Sequence, residues 1–121
     1  MPINRLTIES AAVTGTHTST PVAVGTITGD YTIKLFVSAM TLANARIQIE
    51  ESADSFSTAK PLVVWNFQGP VPLEGLEVSF RKREAAGSDL FGTAGAEARV
   101  NVVELNGYAP VSATYDAWIE Y

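Results

Sequence analysis

The sequence predicts an all-β protein: an antiparallel β-sandwich of about eight strands, Ig-like or jelly-roll-like, with little or no helix. Apolar and polar residues alternate along most of the chain, and turn residues separate the alternating segments at spacings of roughly 8–12 residues. No segment combines a period of about 3.6 residues with the caps of a helix. The 121 residues, 46% of them hydrophobic, suffice for one core and predict a single domain spanning 1–121.

The strongest alternation predicts strands that have one buried face; these segments are residues 31–37, 45–50, 76–81, 97–102 and 111–121. Within residues 45–50, alanine and isoleucine are predicted to face the core, and arginine, glutamine and glutamate to face solvent. Weaker patterns predict strands at 6–13 and 22–28. The continuous apolar run at 62–67 predicts a central strand that is covered on both faces.

The segments between these strands predict turns and loops. Gly29-Asp30 and Asn106-Gly107 carry the residues that short hairpins need. The threonine-rich residues 14–21 predict a loop or an edge strand, and residues 1–21 as a whole predict an extended N-terminal arm or an edge strand. Residues 85–95 contain three glycines and predict a long mobile loop.

Composition argues against several classes of partner. The formal net charge is −5, so the chain lacks the basic surface that neutralises phosphates, and no nucleic-acid partner is expected. There is no cysteine, which excludes disulfides and thiol chemistry. Neither a signal peptide nor an apolar run of about 18 residues is visible. We therefore expect no membrane partner, and we expect the protein to be made in the cytoplasm.

The residues that could carry chemistry are isolated or wrongly spaced, so no catalytic, cofactor or metal site is predicted, and the protein is not expected to be an enzyme. His17 has no acidic residue within five positions on either side, which predicts an exposed loop residue. Residues 50–54 could offer oxygen ligands to calcium, but they lack the glycine of a calcium loop. The preferred interpretation is an acidic hairpin end in which Ser52 and Asp54 form the turn.

Three aromatic residues are candidates for an exposed binding surface. By alternation Trp118 lies on the polar face of the last strand, where it could be a ligand platform, a protein-interface anchor, or a core residue if a bulge shifts the register. Phe91 and Tyr108 could be exposed or could pack against their own loops. Together with the loop residues Thr16, His17 and Thr18, these three aromatic residues form the candidate interface.

Residues 45–56, ARIQIEESADSF, resemble a strand and turn of small β-sandwich virion proteins of tailed bacteriophages. Residues 95–103 and 112–120 resemble two later strands of the same proteins, so the resemblance runs in order over roughly residues 30–121. It implies a capsid decoration or head-associated protein that is made in the host cytoplasm and found in the virion. It further implies binding to the major capsid protein or other virion proteins and a homo-oligomer, with a trimer favoured. The alternative is a carbohydrate-binding or adhesin-like module that uses exposed aromatic residues.

Overall fold

A computed structural model describes residues 4–40, 45–67, 74–82, 90–104 and 112–121 of the chain. These residues form strands and turns, with no helix among them. The strands are β1 (Arg5–Thr14), β2 (His17–Thr18), β3 (Val22–Ala23), β4 (Tyr31–Met40), β5 (Ala45–Ser52), β6 (Lys60–Phe67), β7 (Leu76–Lys82), β8 (Glu97–Glu104) and β9 (Ser112–Glu120). The all-β prediction is confirmed.

The strands form two antiparallel sheets that pack together as a β-sandwich. The first sheet has the order β1-β9-β4-β7. The second has the order β2-β8-β5-β6, and the short β3 also pairs with β8. Between residues 4 and 121 the backbone is paired in both directions, since each amide donates to the other's carbonyl oxygen at 2.8 and 3.0 Å. The finer choice between an Ig-like and a jelly-roll-like sandwich stays a prediction.

The core lies between the inner faces of the two sheets and comes mainly from β4, β5, β8 and β9. On these strands every second residue points inward, as the alternation predicted. The fully buried large aliphatic side chains are Val24, Ile27, Ile33, Leu35, Val37, Ile47, Ile49, Val100, Val102 and Ile119. Each such side chain contributes roughly 1.5–3 kcal/mol through burial, so these strands form the rigid frame that positions the surface segments.

The prediction of a central strand at 62–67 is wrong. Strand β6 lies at the end of the second sheet and, within the described part of the chain, pairs with β5 alone. Val64, in the middle of the strand, is 44% exposed. A short apolar run indicates a strand but cannot place it at the centre or the edge of a sheet, because that depends on distant strands.

The predicted hairpin at Gly29-Asp30 is also wrong. Gly29 does adopt a positive φ of 83°, but the chain passes here from β3 in the second sheet to β4 in the first. The turn is therefore a connection between sheets. The second predicted hairpin, at Asn106-Gly107, lies outside the described residues.

The predicted long loop at 85–95 is described only from residue 90. From there the chain forms turns, with the Thr93 amide donating to the Leu90 carbonyl oxygen at 2.9 Å and the Gly92 amide donating to the Val24 carbonyl oxygen at 3.2 Å. The described part of residues 1–21 forms β1 and β2, which lie at the edges of the two sheets, and β3 begins just after it. Only residues 22–23 of the predicted strand at 22–28 are extended in a ladder.

Replacing Gly75 with alanine is expected to lower the free energy of unfolding by about 1–2 kcal/mol. Gly75 has a φ of 86°, a region that side-chain-bearing residues rarely adopt. An added Cβ would also collide with the Phe36 ring and lie 3.2 Å from the Val37 carbonyl oxygen. Urea unfolding measures the change. Gly29→Ala is the control for the φ alone, since a Cβ there meets nothing within 4 Å. An equal loss at both positions would show that the Phe36 contact is unimportant.

Candidate protein-binding surface

A β-bulge in β1 determines which way Glu9 points. Thr7 is opposite Trp118 and Glu9 is opposite Ala117, so Ile8 is an extra residue in the ladder. The extra residue reverses the alternation beyond it, because side chains on a strand point to opposite faces in turn. Glu9 therefore lies on the inner face, where a carboxylate requires hydrogen-bonding partners.

Glu9 finds these partners in both sheets. The Tyr115 hydroxyl, on the neighbouring strand β9, donates a hydrogen bond to the Glu9 carboxylate. His17 lies opposite Val102 in the second sheet, and its Nε2 is 2.8 and 3.1 Å from the two oxygens of the same carboxylate. At these distances a proton on Nε2 could be donated to the carboxylate. The three side chains tie the edges of the two sheets together.

The prediction that His17 is an exposed loop residue is therefore wrong. The side chain is half-buried and its acidic partner lies eight positions earlier. Burial raises the pKa of Tyr115, and the hydrogen bond to Glu9 and the charge of Glu9 raise it further. The Tyr115 hydroxyl thus remains a protonated donor throughout the neutral pH range.

Ser19 also holds the segment around β2 to the second sheet, through hydrogen bonds to Val100 of β8. Its amide donates to the Val100 carbonyl oxygen at 2.9 Å, and the Val100 amide donates to the Ser19 hydroxyl oxygen at 2.8 Å. Ser19 is buried. The segment around β2 is consequently held at two alternate positions, by His17 and by Ser19.

The residues between and beside these two anchors face outward. Thr16, Thr18 and Thr20 are all exposed, and we call them the threonine rim. Each hydroxyl can donate one hydrogen bond and accept others. Because the backbone beneath the rim is already fixed, a protein that binds there would lose little conformational entropy from ordering it. The sequence pointed to Thr16 and Thr18 but not to Thr20 or Glu9.

Trp118 is not exposed, so neither the ligand platform nor the interface anchor describes it, and it is not in the core either. It lies on the outer face of the first sheet, opposite Lys34, yet is only 8% exposed. The Arg5 guanidinium lies 4.2 Å above the ring, and the indole Nε1 donates to the Glu120 carboxylate at 3.0 Å. Long charged side chains cover apolar surface in this way.

Of the other two aromatic candidates, only Phe91 lies in the described part of the chain, and it is half-buried. Phe91 stacks on Tyr31, with the ring centroids 4.4 Å apart and the planes 17° from parallel. Tyr31, the residue on which it stacks, is the first residue of β4. Tyr108 lies outside the described residues.

The prediction that Glu50 faces solvent is wrong. Although it lies on the outer face of the second sheet, it is only 4% exposed. Its carboxylate accepts hydrogen bonds from Arg99 Nε at 2.9 Å, from Asn101 Nδ2 at 3.0 Å and from the Gln48 amide. Burial raises the pKa of Glu50, but the hydrogen bonds from Asn101, Arg99 and Gln48, together with the charge of Arg99, outweigh it and lower the pKa.

The turn after β5 contacts Arg99, one of the donors to this carboxylate. Ser52 Oγ accepts from the amides of Asp54 and Phe56 at 3.1 and 2.9 Å, and Asp54 Oδ1 accepts from the Thr58 amide at 3.0 Å. The prediction that Ser52 and Asp54 form the turn is thus confirmed. Phe56, at a φ of 63°, has its ring 4.1 Å from the Arg99 guanidinium. Glu51, the residue before Ser52, is also fully buried, and its Oε2 lies 3.8 Å from Lys60 Nζ.

Comparison with known proteins adds no assignment. No family model matches the chain, and no curated protein matches it. In the described ranges, no group of three or more histidine or acidic side chains is placed to hold a metal ion. The same ranges contain no helix long and apolar enough to cross a membrane. Function must therefore be inferred from the surface described above and from the sequence resemblance.

Proposed function

We propose that this chain is a structural virion protein that decorates the head of a tailed bacteriophage and stabilises it by binding the major capsid protein. The observation that carries the proposal is the threonine rim, an exposed polar surface on backbone that His17 and Ser19 hold in place. A rigid surface of this kind suits a contact that is repeated many times on a symmetric shell. The protein would then act by shape and adhesion, without catalysis.

The positions of the resembling segments support this proposal. Residues 45–56 form β5 and the turn that follows it, while residues 95–103 and 112–120 coincide with β8 and β9. These are internal strands of the two sheets. The likeness to phage virion proteins therefore concerns the framework, and a contact with the capsid would be made by the edge segment around β2, which such a framework carries.

The charge of the protein is also compatible with a contact made at close range. Charged residues are 17% of the chain, below the average of about 25% for soluble domains. Affinity at such a contact would come mainly from complementary shape, hydrogen bonds and multivalency. A homo-oligomer, with a trimer as the form that the resemblance favours, would gain avidity from several simultaneous contacts.

The carbohydrate-binding alternative depended on exposed aromatic residues. The Arg5 side chain covers Trp118, and Phe91 stacks on Tyr31. Trp118 therefore offers no open face on which a sugar could stack, and one face of Phe91 is occupied by Tyr31. The observations therefore favour the protein-binding function over the adhesin-like module.

Replacing Thr18 with arginine is expected to weaken binding to shells of the cognate major capsid protein at least tenfold, a change of about 1.4 kcal/mol. The larger, charged side chain would prevent close approach at the centre of the rim. Cosedimentation of the purified protein with empty shells measures the affinity. The control is Thr114→Arg, at an exposed threonine on the first sheet, which should bind as the wild type does. If the wild-type protein does not bind the shells, the proposed function is wrong. If the wild type binds and Thr18→Arg binds equally well, the rim is not the contact.

A further inference from the structure

We propose that two copies of this chain associate through β6, which would pair antiparallel with β6 of the second copy and join the two second sheets into one continuous sheet. The inference goes beyond the proposed function and does not depend on it. It rests on the position of β6 in the fold, on the side chains along this strand, and on how well the strand complements itself.

Strand β6 has one free side within the described part of the chain. Its pairing with β5 extends from Lys60 to Phe67, and it is the last strand of the second sheet. No described strand pairs with its other side. An edge strand of eight residues presents a row of backbone donors and acceptors on which another strand can add.

The side chains along β6 do not discourage such pairing. Proteins usually protect an edge with lysine, proline or a bulge. In β6 all three devices lie at the N-terminal end of the strand, as Lys60, Pro61 and the bulge residue Leu62. Residues 63–67, Val-Val-Trp-Asn-Phe, contain no charge and no proline, so their own sequence supplies none of these protections.

The other long edges in the described residues are different. Strand β1 carries Arg5 and Glu9, and β7 carries Glu77. Charged residues on an edge oppose pairing with another strand. Among these long edges, β6 is the one whose single charged residue lies at its first position.

The second copy is the occupant that the strand itself fits. A two-fold axis through Val64 would place this residue opposite its own copy and Val63 opposite Trp65. Val64 is exposed on the outer face, whereas Val63 and Trp65 are half-buried against the core. Pairs of β-branched and aromatic residues stabilise antiparallel strands. The two Lys60 side chains would lie at opposite ends of the ladder, so like charges would not meet.

This symmetry determines the size of the assembly. A two-fold contact uses the same surface on both copies, so it closes at two and cannot continue into a fibre. It predicts a dimer in place of the trimer that the sequence resemblance favoured. The molar mass in solution separates the two.

The first experiment is light scattering or sedimentation equilibrium of the full chain at about 100 µM. The expected mass is twice the 12.9 kDa mass of one chain. At this concentration even a weak contact with a Kd of about 10 µM is mostly formed. Val64→Lys should shift the protein to monomer. Leu76→Lys, at the second large hydrophobic residue that is exposed among the described residues, is the matched control and should remain a dimer. A wild-type monomer, a trimer, or a Val64→Lys dimer would each overturn the proposal.

A second measurement does not depend on disrupting the contact. The chain has no cysteine, so Val64→Cys introduces a single thiol at the proposed axis, where the two Cβ atoms would be about 5 Å apart. A short thiol-specific crosslinker should link this variant into covalent dimers rapidly, and Leu76→Cys should give little product. Equal yields from the two variants would show that β6 is not the contact.

Discussion

Replacing Arg99 with methionine is expected to lower the free energy of unfolding by about 3 kcal/mol. Arg99 supplies the cation beside the Glu50 carboxylate, which is almost fully buried. Methionine keeps much of the side-chain volume and contact with Phe56 but leaves the carboxylate with neutral donors alone. The large effect comes from leaving one charge buried without its partner, and it does not measure what the intact pair contributes. Urea unfolding at neutral pH gives the change.

A second substitution tests this explanation. In the Arg99→Met protein, Glu50→Gln removes the buried charge that has lost its partner and should restore part of the lost stability. If the double variant is less stable than Arg99→Met alone, the loss arises from packing against Phe56. If Arg99→Met costs less than about 1 kcal/mol, the pair behaves like an exposed surface ion pair.

The same carboxylate makes stability depend on acid pH. Because the pKa of Glu50 is lower in the folded protein than in the unfolded chain, its stabilising contribution is fully present above the unfolded pKa and is lost as the pH falls through the folded one. The difference in unfolding free energy between wild type and Glu50→Gln should therefore shrink below about pH 4. Hydrogen bonds from Ser52 and Trp118 also lower the pKa values of Asp54 and Glu120, respectively. These two residues are present in both proteins, so their contributions to the pH dependence cancel in the difference.

Replacing Glu9 with leucine is expected to destabilise the protein by about 2–3 kcal/mol. Glu9 is the acceptor for the buried Tyr115 hydroxyl and for His17. Without it, the hydroxyl is left in the core with no acceptor, and the link between β1 and β2 is lost. Chemical denaturation measures the stability. Hydrogen exchange should also show faster exchange in the segment around β2 than in the central strands.

The expected loss can be separated into its parts. Adding Tyr115→Phe to Glu9→Leu removes the unpaired hydroxyl, so the double variant should recover to within about 1 kcal/mol of the wild type. His17→Gln alone should cost less than Glu9→Leu, because His17 is partly exposed and can exchange its partner for water. If the double variant is no more stable than Glu9→Leu, the hydroxyl was not the cause. A full set of single and double variants gives the coupling energy directly.

The sequence predicted the parts of the fold that depend on local pattern. The alternation in β4, β8 and β9 identified which side chains form the core, because a period of two residues is a property of the strand alone. The place of β6 at an edge could not be predicted in this way, since it depends on how many strands come to lie beside it. The burial of Glu50 was missed for the same reason: it depends on Arg99, which donates to Glu50 from β8, and on Phe56, whose ring packs on Arg99.

The candidate site was predictable only in part. The threonines at 16 and 18 stood out by composition, but the anchor beneath them did not. It requires the extra residue at Ile8, which turns Glu9 inward, and a second sheet that brings His17 within reach. A bulge leaves no reliable mark in a single sequence. Nor does the sequence reveal that Arg5 covers Trp118, because the two residues are 113 positions apart and meet only when β1 pairs with β9.

The pairing of residues 4 and 121 has a mechanical consequence. Strands β1 and β9 are antiparallel neighbours, and their ladder begins at this pair. A pulling force applied at these two residues acts at one end of the ladder and across it, so the hydrogen bonds break one after another and do not share the load. The sandwich should therefore open at low force when pulled at residues 4 and 121. Attachment through the opposite end of β1 and through residue 121 would load the ladder in shear, and the same strands should then resist a much higher force.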